Sequence, residues 1–135
     1  MIRKFFLIAF FFLGICTFAQ NWQEKKGEHF IIYFSSLSEE NFAKEVLDKA
    51  EKYYQEIAVD LGYPRYKEFW LWDKRVKIYI YPDQEAFLKA TGQPSWSHGV
   101  AEYATKKISS FLGSKDFLDS VLPHEIAHLI FRDFV

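Results

Sequence analysis

The chain is poor in several features that commonly reveal a function. Its one cysteine, Cys16, lies in the first apolar stretch and has no second thiol to pair with. A disulfide framework is therefore excluded, and so is thiol chemistry in the chain that follows that stretch. Proline (4) and glycine (6) are sparse, which excludes collagen-like and linker-rich classes. Lysine plus arginine (17) nearly balance aspartate plus glutamate (18), leaving no basic excess for a nucleic-acid partner. No repeat, low-complexity tract or interdomain linker interrupts the 135 residues, so one domain is expected. Aromatic residues are abundant, with 15 Phe, 8 Tyr and 4 Trp, and half of the chain is hydrophobic. That composition belongs to a packed globular domain.

The beginning of the chain reads as a leader, residues 1–19. Arg3 and Lys4 form a positive start, Phe5 to Ile15 an apolar run, and Thr17-Phe18-Ala19 a small-x-small cleavage site. The run is short for a bilayer span, and polar Gln20, Asn21 and Gln23 follow it. A signal peptide cut after Ala19 is expected, with export to a periplasmic or extracellular compartment. The competing readings are an uncleaved anchor and lipid attachment at Cys16, to which the bulky Ile15 is poorly suited. After cleavage no stable membrane span is expected, and residues 20–135 form the domain.

Within it, Gln20 to Gly27 reads as a loose polar lead-in. His29 to Phe34 is dense in β-branched and aromatic residues and predicts a strand. Ser36 with Glu39 forms a capping box, and apolar residues from Phe42 to Leu61 recur on one face of a long helix. Gly62 and Pro64 stop that helix. Tyr66 to Asp73 is an aromatic segment of irregular form, a cover or a flap. Val76, Ile78 and Ile80 alternate with Lys77, Tyr79 and Tyr81, which predicts a half-buried strand. Asp83 caps a short helix through Ala90, with Gly92 at its end. Gly99 to Ala104 and Ile108 to Phe111 predict a hairpin. A last helix starts between Lys115 and Ser120, and a start near Asp119 or Ser120 keeps Pro123 in a tolerated first turn. The order is α+β, a small sheet packed by helices.

On that last helix stands His124-Glu125-Ile126-Ala127-His128, the H-E-x-x-H pattern of zinc metallopeptidases. Histidines four apart share a helix face, so both can reach one Zn²⁺, with Glu125 beside them as general base. Apolar residues nearly encircle the motif, which predicts a buried helix and polar groups in need of partners. A metal supplies them; backbone carbonyls for the histidines and a cation for Glu125 are the bland alternative. A hydrolytic zinc site needs a third ligand. Phe131 and Phe134 occupy positions that would carry the glycine and third histidine of the metzincin pattern, which excludes that class. Asp133 lies about 180° round the helix from His124 and cannot share its metal. His98 and Glu102 are upstream and more naturally surface residues.

The segment Leu122 to Phe131, with Gly99-Val100-Ala101 and Lys107 to Ser110, resembles the gluzincin zinc metallopeptidases, in particular the secreted bacterial peptidase MA-like domains. The resemblance extends over most of residues 20–135, although HEIAH alone is specific. It implies a zincin-like fold and zinc-dependent hydrolysis of a peptide or protein substrate. It also implies substrate pairing along the sheet edge at Gly99 to Ala104. The family's third ligand is a glutamate on the next helix, which this chain does not reach, so the expected assignment is an incomplete N-terminal subdomain. A two-histidine site predicts weak zinc affinity and no peptidase activity for the chain by itself. A non-catalytic peptide-binding module or an inactive fragment is the alternative.

Overall fold

The computed structural model describes residues 21–62 and 70–134. The expected leader, Pro64 and the first half of the aromatic segment Tyr66 to Asp73 lie outside the described residues. Five strands and three α-helices are present among them: β1 (Gln23–Lys26), β2 (Phe30–Phe34), α1 (Glu40–Asp60), β3 (Val76–Tyr81), α2 (Gln84–Thr91), β4 (Val100–Glu102), β5 (Lys107–Phe111) and α3 (Leu122–Phe134). The strands form one mixed sheet in the order β1-β2-β3-β5-β4. β2, β3 and β5 run parallel, and an antiparallel strand flanks each end. The expected α+β architecture with a small sheet is present. The polar lead-in differs from expectation, because Gln23 to Lys26 pair antiparallel with β2. Its alternation of charge and half-burial suits an edge strand, where Lys and Glu discourage further pairing.

Side-chain alternation divides the sheet into two faces. Phe30, Ile32 and Phe34 lie opposite Val76, Ile78 and Ile80, and Ile78 lies opposite Ile108. All seven are buried in the core that receives α1 and α3. The other face carries a ring cluster in which Tyr33 stacks on Tyr79 at 4.5 Å and Trp22 meets Tyr79 edge-on at 5.2 Å. Phe87 of α2 closes that side against Tyr81 and Phe111.

Helix boundaries follow local chemistry. The Glu39 carboxylate accepts the backbone N–H of Ser35 (3.0 Å) and Ser36 (3.4 Å), and a 3₁₀ turn over Leu37–Glu39 leads into α1. The Asp83 carboxylate accepts the Ala86 N–H at 2.7 Å, and Gly92 leaves α2 with φ +67°. His29, at the mouth of β2, is fixed by Glu51 of α1. One carboxylate oxygen accepts the His29 backbone N–H at 2.8 Å, and the other lies 2.7 Å from its Nδ1.

The start of the last helix holds the most informative departure. Helical structure begins at Lys115 and widens into a π-turn over Phe117–Val121 before α3 proper. The N–H of Leu122 reaches back to the Phe117 carbonyl, five residues away, and so passes over the Leu118 carbonyl. Pro123 has no N–H to serve Leu118 instead. The Tyr53 hydroxyl, from α1, donates to that orphaned oxygen at 3.0 Å. Lys49 adds an ion pair to Asp119 at 3.0 Å. Replacing Tyr53 by Phe leaves the carbonyl unserved and is expected to cost about 1–3 kcal/mol, read as a lower urea midpoint. An unchanged midpoint would show that water or another group satisfies it.

Candidate metal centre

α3 turns Leu122, Ile126, Leu129 and Ile130 into the core, all fully buried. Its opposite side is open: His124 and His128 are exposed, and Phe131 is 59% exposed. The expectation of an all-round buried helix is therefore corrected. The apolar residues do not encircle α3 in space, because Phe131 and the two histidines, spaced i, i+4, i+7, form one outward stripe.

The i, i+4 spacing brings the imidazoles together as expected. Nε2 of His124 and Nε2 of His128 stand 3.0 Å apart, with ring planes at 77° and centroids 4.5 Å apart. Two unprotonated nitrogens at this distance repel, so either one ring donates its Nε2–H to the other or a cation joins them. Nitrogens bound to one tetrahedral zinc at 2.0–2.1 Å are roughly 3.3 Å apart. The pair thus fits a zinc ion after a shift of a few tenths of an ångström, and its exposure leaves room for further ligands.

Glu125 is half-buried beside the pair. One of its carboxylate oxygens, Oε2, accepts the Tyr103 hydroxyl at 3.0 Å. No other hydrogen bond reaches this carboxylate among the described residues. Burial above all, then the bond to Glu125 and its charge, raises the Tyr103 phenol above its ordinary value of 10.0. Tyr103 therefore remains a protonated donor at neutral pH.

A cleft of about 370 Å³ opens beside His124 and Glu125. Trp96, His98 and Gly99 wall it from one loop, and Val121 of the π-turn walls it from the other side. Trp96 is 77% exposed at its rim. Gly99 is required for the close approach of loop and π-turn, since a Cβ there would lie 3.0 Å from both Phe117 Cδ2 and Val121 Cγ1. β4 follows this loop directly and is an edge of the sheet.

No protein family, curated protein or solved structure matches this chain. The functional reading therefore rests on the site itself.

The other weighed residues have separate engagements. His98 lies along the cleft, with Nε2 at 3.5 Å from Asp116 and Nδ1 at 3.3 Å from the Ser114 hydroxyl. Glu102 accepts the Thr105 hydroxyl at 3.1 Å. Asp133 accepts the Trp70 indole N–H at 2.7 Å and pairs with Lys106, well away from the histidines round the helix. Among the described residues no cluster of three His, Cys, Asp or Glu side chains forms. Tyr103 and Trp96 are the site residues that sequence reasoning missed. Both are brought in by loops, where no hydrophobic period marks a position.

Proposed function

We propose that the protein is a zinc metallopeptidase of gluzincin type, in which His124 and His128 are metal ligands and Glu125 is the general base. The observation that carries this reading is the convergence of the two Nε2 atoms at 3.0 Å, with His124 and Glu125 lining one cleft. Zinc, when bound, supplies Lewis acidity and a water acidified to a pKa of about 7. Glu125 takes a proton from the attacking water and delivers it to the leaving amine. α3 holds the three side chains on a helix anchored by four buried apolar residues, so little reorganisation accompanies the reaction. The β4 edge offers unpaired backbone groups to an extended peptide, by strand addition, and the neighbouring cleft takes a substrate side chain. A hydrolytic zinc site of this kind also needs a third protein ligand. The N-terminal apolar run supports export, and no helix among the described residues is long and apolar enough to cross a membrane.

Metal binding tests the reading. In the full-length protein, His124→Ala and His128→Ala are each expected to weaken zinc binding by more than about 100-fold, because a lost ligand costs at least as much as a lost outer-shell partner. Competition with a chromophoric chelator measures it. Wild-type affinity in either variant would remove the histidine pair from the metal site.

A further inference from the structure

We propose that Tyr103 is a positioning residue for Glu125, fixing its carboxylate by a hydrogen bond from outside the motif helix. This rests on the peptidase reading and adds to it a residue from the β4–β5 turn. Tyr103 donates to Glu125 Oε2 at 3.0 Å, and its ring meets the His128 ring edge-on with centroids 6.1 Å apart. The Arg132 guanidinium stands 6.0 Å from the centre of the same ring. One tyrosine therefore runs along the helix flank past residues 125, 128 and 132, touching the base and packing beside a ligand.

The turn that presents Tyr103 is held at its other end as well. Lys106, in a left-handed conformation at φ +51°, donates its N–H to the Tyr103 carbonyl at 3.3 Å. Its ammonium group pairs with Asp133 and lies 5.6 Å from the centre of the Trp70 ring. Lys106 thus gives the hairpin a second anchor on α3, beside the contacts of Tyr103. Among the described residues, the tyrosine hydroxyl bonds to the Glu125 carboxylate alone. With Oε2 held, the carboxylate loses rotation about its last bonds, and Oε1 is left to handle the reacting proton.

The test uses Tyr103→Phe, which keeps the ring and deletes the hydroxyl, in full-length protein. The turnover number of zinc-loaded enzyme is expected to fall about tenfold or more, with KM and zinc affinity unchanged. In a Glu125→Gln background the same substitution is expected to change nothing further, because the base it positions is gone. An activity-free readout accompanies this. The carboxylate ¹³C resonance of Glu125, identified by its loss in Glu125→Gln, should move in metal-free Tyr103→Phe protein. An unmoved resonance, an unchanged turnover number, or an equal fall in both backgrounds overturns the assignment to Tyr103 while an active wild type keeps the peptidase reading. A wild type with no zinc-dependent turnover overturns that reading and, with it, the role assigned to the tyrosine.

Discussion

Glu125→Gln is expected to lower peptide turnover by about 10²–10⁴-fold, the range supplied by a positioned general base. Zinc content should stay near that of wild type, since Glu125 is not one of the proposed ligands. The amide is close in size to the carboxylate and still offers an oxygen to the Tyr103 hydroxyl, which lies 3.0 Å from Oε2. It cannot accept the proton of water at neutral pH. Loss of activity with retained metal would therefore separate proton transfer from folding and from metal binding. Equal turnover in the two full-length proteins would remove Glu125 from the chemistry.

The largest stability effect is expected at Trp70. Its side chain is fully buried and packs edge-on against Phe30 at 5.8 Å and tilted against Tyr54 at 5.0 Å. Its indole N–H serves Asp133 near the end of α3, so it ties β2, α1 and the motif helix together. Trp70→Ala leaves a large cavity and is expected to cost about 3–5 kcal/mol, measured by urea denaturation. Trp70→Phe should cost less, because the core is partly refilled and Asp133 retains Lys106. A loss below about 1 kcal/mol for the alanine variant would show that the aromatic cluster collapses around the gap.

From β2 onward the element order was readable because those elements carry their own local signals. Alternation at Val76, Ile78 and Ile80 gave β3, Ser36 and Glu39 marked the approach to α1, and Asp83 with Gly92 bounded α2. Three things were not readable, for three physical reasons. β1 is a charged edge strand, whose residues show no apolar alternation and pair only because β2 is adjacent in space. The π-turn before α3 depends on Tyr53, seventy residues from Pro123 in sequence, to satisfy a carbonyl that the proline abandons. The open side of α3 is hidden in the sequence because apolar count does not fix enclosure, and its histidines and Phe131 share one exposed stripe. The candidate site divides in the same way. The motif's own spacing predicted the meeting of His124 and His128, and the angle round the helix correctly separated Asp133 from them. Tyr103 reaches Glu125 only through the pairing of β4 with β5, a long-range contact with no sequence period.

The proposed function requires that His124 and His128 hold one zinc ion. X-ray absorption at the zinc edge of full-length protein tests it most directly. Two imidazole nitrogens at about 2.0–2.1 Å are expected, with the imidazole scattering diminished in His124→Ala and in His128→Ala. A wild-type spectrum without imidazole scattering, or one that neither substitution alters, would contradict it.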